Sequence, residues 1–198
     1  MFPKIKRKNT KVIQVGSILI GGKNPIRVQS MTNTDTRDVK TTLEQIHKLY
    51  SAGCEIVRVA IPDEKAVSAL KEITKESPIP VVADLHFITS LGEKAVKAGI
   101  AGIRINPGTF KNLKNLDRLI EVCKNYGVCI RIGINAGSLE AKILRKYKIP
   151  TPSAMVESAI NWVNYIVEKF DYQNLKVSLK SSNWWDTVKA YELFSKKS

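Results

Sequence analysis

Short β-branched runs that alternate with amphipathic helical stretches, and one arginine repeated at the centre of three runs, predict an α/β fold. The type expected is an incomplete TIM (β/α)8 barrel with about six parallel strands, preceded by a short N-terminal β-hairpin. Polar residues at the C-terminal ends of nearly all the runs point the same way, because a barrel gathers its binding site there.

The elements follow in order. The arm Met1-Phe2-Pro3-Lys4-Ile5-Lys6-Arg7-Lys8 is basic and leads into no apolar stretch long enough for a signal peptide or a membrane span. A hairpin is expected at residues 12 to 21, from Val12-Ile13-Gln14-Val15 and Ile18-Leu19-Ile20 before Gly21-Gly22. The strands expected next are Ile26 to Met31, Glu55 to Ile61, Pro80 to Leu85, Gly102 to Asn106, Val128 to Asn135 and Leu175 to Lys180. Between them apolar residues recur at helical spacing. Val39, Leu43, Ile46 and Tyr50 form the expected core face of the first helix, and Met155, Ala159, Trp162, Ile166 and Phe170 that of the longest. Thr151 followed by Pro152 marks the start of that helix, a cap residue and then a proline where the missing N–H costs nothing. A last helix is expected from Trp184 to Ser195.

Gly53, Gly99 and Gly127 each stand between a helix and the next strand, the place where a left-handed residue ends a helix. Three repeats of one joint indicate one repeating βα unit. Parallel strands with right-handed crossovers close as a barrel or spread as a doubly wound sheet. No strand is followed by GxGxxG or GxxxxGK[ST], which favours the barrel. The organisation expected is a basic arm and hairpin at residues 1–22 and a partial barrel at 23–198.

At 198 residues and 43% hydrophobic content, the chain is long enough for one packed domain. Cys54, Cys123 and Cys129 are odd in number and form no CxxC pair, so buried thiols in a reducing compartment are expected rather than disulfides or a metal site. The formal charge of +14 raises nucleic-acid binding. Beyond the arm, however, the cations are spread along predicted helices, with no aromatic-rich basic strand beside them. A soluble, cytoplasmic protein without a nucleic-acid or membrane partner is expected.

The chemistry gathers on three tripeptides, Val57-Arg58-Val59, Ile103-Arg104-Ile105 and Ile130-Arg131-Ile132. Side chains alternate along a strand, so each arginine faces away from its apolar neighbours. The layer under the helices must be apolar, which sends the arginines toward the barrel axis. Guanidinium groups brought together in a dry interior need anions, and Asp84 is the obvious acidic partner. One arginine paired with Asp84 and the others reaching the rim is one arrangement; a phosphate-bearing ligand held by bidentate donors accounts for more of the charge. The same parity sets Asn106 with Arg104, Gly133 and Asn135 with Arg131, and His86 with Asp84, while Lys180 ends the sixth strand. Asn135-Ala136-Gly137-Ser138-Leu139-Glu140 reads as a loop entering a short extra helix, and Asn106-Pro107-Gly108-Thr109 as a turn; both offer backbone N–H groups to an anion.

Val28-Gln29-Ser30-Met31-Thr32-Asn33-Thr34, Val82-Ala83-Asp84-Leu85-His86-Phe87, Arg104-Ile105-Asn106-Pro107-Gly108 and Arg131-Ile132-Gly133-Ile134-Asn135-Ala136-Gly137-Ser138-Leu139 closely resemble the barrel domain of the 4-hydroxy-3-methylbut-2-en-1-yl diphosphate synthase family. The resemblance is collinear from about Lys6 onward. It implies an isoprenoid-pathway oxidoreductase that opens the ring of 2-C-methyl-D-erythritol 2,4-cyclodiphosphate by a two-electron reduction. It also implies a four-iron, four-sulfur cluster, flavodoxin or ferredoxin as electron donor, and a homodimer.

In the family the substrate diphosphate lies at the barrel mouth. The matching positions are Arg58, Arg104, Arg131 and Lys180, with Asn135 alongside and Asp84 and His86 near the mouth. The family's sixth-strand word, Lys-Ala-Ser-Asp, reads Lys180-Ser181-Ser182-Asn183 here. The last strands, a catalytic glutamate and the cluster domain have no counterpart in the sequence, and the three cysteines match none of the cluster ligands. The chain by itself is therefore expected to bind rather than turn over, and its open sheet edges to leave it marginally stable or oligomeric. A non-catalytic phosphate-binding barrel module and a pterin-binding type of barrel synthase are the alternative functions.

Overall fold

The computed structural model describes residues 8–85, 90–109 and 113–198. A two-stranded antiparallel hairpin, β1 (Ile13–Val15) and β2 (Ile18–Ile20), precedes a six-stranded parallel sheet in the order β3-β4-β5-β6-β7-β8. The strands are β3 (Gln29–Met31), β4 (Ile56–Ala60), β5 (Val81–Asp84), β6 (Gly102–Ile105), β7 (Cys129–Asn135) and β8 (Leu175–Lys180). Sheet order equals chain order, as a barrel wound in one direction requires. The helices are α1 (Val39–Ser51), α2 (Glu64–Glu76), α3 (Ser90–Lys97), α4 (Leu113–Tyr126), α5 (Ala141–Tyr147), α6 (Pro152–Phe170) and α7 (Trp184–Lys197).

Local chemistry sets these boundaries. Asp38, Asp63 and Thr151 accept hydrogen bonds from Thr41, Ala66 and Ala154 N–H at the starts of α1, α2 and α6, satisfying donors that a helix leaves orphaned. Gly53, Gly99 and Gly127 all have positive φ, at 92°, 95° and 67°, so the three joints expected from the sequence exist.

Two apolar layers sandwich the sheet. The outward residues of β4 to β7, among them Val57, Val59, Ile103, Ile130 and Ile132, pack under the helices in the main core. A smaller cluster joins Ile13 and Val15 of the hairpin to Ile56, Val82 and Cys129, which face the barrel axis. The hairpin is thus a floor across the N-terminal end of the strands. The Asn174 side chain pins it there, donating to Gln14 C=O and accepting from Gln14 N–H, both at 2.9 Å.

Two expectations need correction. The sequence pattern starts the first barrel strand at Ile26, yet β3 begins at Gln29, and Ile26 and Val28 are 82% and 55% exposed. Pro25 offers no N–H, and β3 is an edge strand with β4 as its one neighbour in the sheet. Helical spacing sets Tyr50 in the core face of α1, but it is 51% exposed; Leu49 packs against the core instead.

Glu55 ties the approach of β3 to β4. Its carboxylate accepts from Val28 N–H at 2.8 Å and from Arg27 at 2.6 Å. The Val28 bond first, and Arg27 second, hold the Glu55 carboxyl below its ordinary value of 4.5. Stability from this contact is complete above pH 4.5 and is lost as pH falls through the lowered folded value. Glu55→Gln should lower the thermal midpoint near neutral pH, and its gap to the wild type should close on titration below 4.5. A gap that persists undiminished at about pH 3 would contradict this linkage.

Candidate functional site

Above the hairpin floor the inward residues change from apolar to charged. Two positions beyond Ile56, Val82, Gly102 and Cys129, the same parity brings Arg58, Asp84, Arg104 and Arg131 to the inside. Arg104, Arg131 and Lys176 are Cα partners across β6, β7 and β8, so all three stand in one row. Gly133 and Ser178 form the next row, and Asn135 and Lys180 the last. These groups line one open cavity of about 950 Å³.

The cavity is rich in cations. Arg58, Arg104, Arg131, Lys176 and Lys180 line it, and among the described residues Asp84 is the single acidic group on its wall. Asp84 is 2% exposed and serves two arginines: Arg104 Nη1 donates to Oδ1 at 3.2 Å, and Arg58 Nε lies 3.4 Å from Oδ2. Arg58 Nε also points at the Met31 thioether at 3.2 Å. Gly133 makes room for Arg104, since a Cβ there would stand 2.9 Å from Nε. Arg131 has no carboxylate partner among the described residues; its Nε donates to Ser178 Oγ at 3.1 Å. Burial, then the neighbouring Arg58 and Arg104, lower the Arg131 pKa.

The expected site residues fall into three groups. Arg58, Arg104, Arg131 and Asp84 converge inside the barrel, and the sharing of Asp84 by two arginines differs from the single pair considered from sequence. Asn135 and Lys180 stand at the mouth, where Lys180 is exposed and the Asn135 side chain accepts from Gly137 N–H at 3.0 Å. His86 lies outside the described residues. Lys176, Ser178 and Gln29 line the cavity although the sequence pattern did not single them out. Counting back from Lys180 in steps of two along β8 reaches the first pair.

The loops above the strands are locked together. Asn106, 7% exposed, donates through Nδ2 to Ser138 Oγ at 3.0 Å and accepts from Gly108 N–H at 3.2 Å. A Cβ on Gly108 would fall 1.4 Å from the Ser138 carbonyl oxygen, so only glycine permits this approach. The expected extra helix is present as a 3-10 turn, Ala136–Ser138, followed by α5. Glu140 leads into α5 without capping it; its carboxylate accepts instead from Ser158 and Trp162 of α6, which fixes the loop from behind.

The described residues do not fit an iron–sulfur cluster. No group of three or more His, Cys, Asp or Glu side chains among them is arranged to hold a metal. Cys54, Cys123 and Cys129 are buried free thiols. Burial pushes Cys123 up to about 12 and Cys129 up to about 11, far from the thiolate that a metal needs. No helix among the described residues is long and apolar enough to cross a membrane.

Comparison with solved structures recovers the architecture at low identity. A 7,8-dihydropteroate synthase from Vibrio fischeri superposes with a TM-score of 0.62 at 11% identity, covering 95% of this chain and 73% of that one. A phospho-2-dehydro-3-deoxyheptonate aldolase from Thermotoga maritima gives 0.57 at 16% identity, over 87% and 47%. Similarities at this level show the fold alone. The chain is 51% identical over 193 residues to the 4-hydroxy-3-methylbut-2-en-1-yl diphosphate synthase (flavodoxin) of Maridesulfovibrio salexigens, covering 98% of this chain and 54% of that protein. The protein of the same name from Aquifex aeolicus is 47% identical over 193 residues, with the same coverage. The chain spans about half the length of the curated relatives it matches. Residues 10–198 match the model of the GcpE TIM-barrel domain, and the chain belongs to that family, the barrel of the 4-hydroxy-3-methylbut-2-en-1-yl diphosphate synthases.

Proposed function

We propose that this barrel is the substrate-binding domain of an enzyme that converts 2-C-methyl-D-erythritol 2,4-cyclodiphosphate to 4-hydroxy-3-methylbut-2-enyl diphosphate by reductive ring opening. The observation that carries the reading is the convergence of five cations and one carboxylate on a single cavity. A diphosphate supplies the negative charge that Asp84 alone does not, and planar guanidinium groups match its oxygens in pairs. Arg58, Arg104, Arg131 and Lys180 contact the phosphates. Asn135 and the Gly137 N–H beside it stand at the mouth. Asp84 holds Arg58 and Arg104 at fixed positions, and His86 is assigned to the same rim by the family words.

The domain division follows the same reading, with a basic arm and hairpin at 1–22 and the barrel at 23–198, the hairpin serving as the barrel's floor. Flavodoxin or ferredoxin is the electron donor, and a four-iron, four-sulfur cluster, for which the described residues offer no ligand set, would supply the electron-transfer chemistry. The chain's own residues bind and orient the substrate, and no step of the reduction is assigned to them. A homodimer working in the cytoplasm completes the proposal. Relatives named as flavodoxin-dependent synthases support the donor.

Titration calorimetry with the cyclic diphosphate tests the site. Arg104→Ala and Arg131→Ala should each weaken binding about tenfold to a hundredfold, the worth of one or two charge-assisted hydrogen bonds. Unchanged affinity in both variants would refute the reading. Asp84→Asn should cost about 1–3 kcal/mol in urea unfolding, because it leaves two half-buried guanidinium groups without their buried carboxylate. Inorganic pyrophosphate should raise the midpoint of that variant more than that of the wild type. A cost within experimental error of zero would show that Asp84 does not organise the arginines.

A further inference from the structure

The cations of the cavity are not equivalent. On the β4 to β6 flank, Arg58 and Arg104 share Asp84, so two positive charges already meet one negative charge inside the protein. On the β7 to β8 flank, Arg131 and Lys176 are Cα partners on neighbouring strands, about 4.8 Å apart, and their side chains face the same cavity. Among the described residues no hydrogen bond or ion pair holds the Lys176 ammonium, and no carboxylate pairs directly with Arg131, for which burial, Arg58 and Arg104 outweigh the more distant attraction of Asp84. Two like charges side by side in a half-buried setting repel each other and are poorly solvated.

The chemistry beneath them gives no relief. Cys129, one row below on β7, is a buried thiol pushed up to about 11, and so brings no negative charge near neutral pH. Burial first, then the adjacent Arg131, work to lower the Lys176 pKa, with Cys129 opposing. The Ser178 hydroxyl lies on the same face of β8 and already accepts from Arg131 Nε, leaving its proton to donate to a ligand. Lys180 is four residues farther along β8, about 13 Å at the backbone, so it serves the mouth while Lys176 serves the interior.

We propose that Lys176, with Arg131 and the Ser178 hydroxyl, forms an inner anion subsite on the β7 to β8 flank that takes one phosphate group of a diphosphate. The inference rests on the cavity being a diphosphate site and adds to it a residue and a direction. The ligand lies toward β7 and β8, where charge is uncompensated, rather than centred over Asp84. Lys176 thereby becomes an anion-binding residue in its own right, matched to a phosphate oxygen as a point charge.

Inorganic pyrophosphate titrated into the full chain by calorimetry, at fixed ionic strength, tests the subsite through Lys176→Met, Lys176→Arg and Arg131→Ala. Lys176→Met should bind about tenfold more weakly, because the methionine offers the phosphate no charged donor, while Lys176→Arg keeps most of the affinity. Without anion, Lys176→Met should melt at or above the wild-type temperature, because it removes a cation that repels Arg131. Wild-type affinity in Lys176→Met with weakened binding in Arg131→Ala would overturn the subsite and leave the cavity reading intact. Wild-type affinity in both variants would overturn the two together. A Lys176→Met protein that melts well below the wild type would also overturn the subsite, by marking the lysine as a structural group.

Discussion

Alternation along the strand is the constraint on which the rest depends. The helices demand an apolar surface from one face of the sheet, and Val57, Val59, Ile103, Ile105, Ile130 and Ile132 supply it, each 1% exposed or less. An arginine placed between two such residues has no choice but the barrel axis. Three strands repeat the pattern, and their registers stagger the arginines by little enough that they share one cavity. Packing therefore produces the charged interior: the core that stabilises the sheet also sends Arg58, Arg104 and Arg131 inward.

A charged interior needs closing and balancing, and the fold does both. The hairpin presses Ile13 and Val15 against Val82 and Cys129, so the charged layer rests on an apolar floor at the N-terminal end of the strands. Asp84 is placed in register with Arg104 and takes in Arg58 as well, which holds two of the arginines in fixed positions before any ligand arrives. Binding then costs little side-chain ordering on that flank. The other flank keeps its charge uncompensated and has the electrostatic reason to recruit an anion.

Much of this is legible in the sequence, for a physical reason. Strand periodicity, the glycine joints and the inward arginines are all local properties, set by neighbours one or two residues away. What the sequence does not disclose depends on partners distant in the chain. The hairpin's place under the barrel arises from pairing with Asn174, 160 residues away. The sharing of Asp84 depends on which way two long side chains turn, and the exposure of Tyr50 on the helix being rotated to bury Leu49 instead. Ile26 and Val28 read as strand because they are apolar and alternate, but an edge position leaves them outside the ladder. Lys176 differs from these: its neighbours Leu175 and Val177 mark it as inward just as the flanking residues of Arg131 do, so its direction is as local a property as that of the arginines. A lysine ends in a flexible point charge that also suits an exposed strand face, and so it stands out less than a guanidinium group between two isoleucines.

The position of the phosphates decides between a binding cavity and a merely charged interior. A crystal structure of the chain with 2-C-methyl-D-erythritol 2,4-cyclodiphosphate measures that directly. The prediction is phosphorus density inside the barrel, within hydrogen-bonding reach of the Arg104 and Arg131 guanidinium groups and above the hairpin floor. Density confined to the outer helical surface, with those guanidinium groups turned away from an empty cavity, would contradict it.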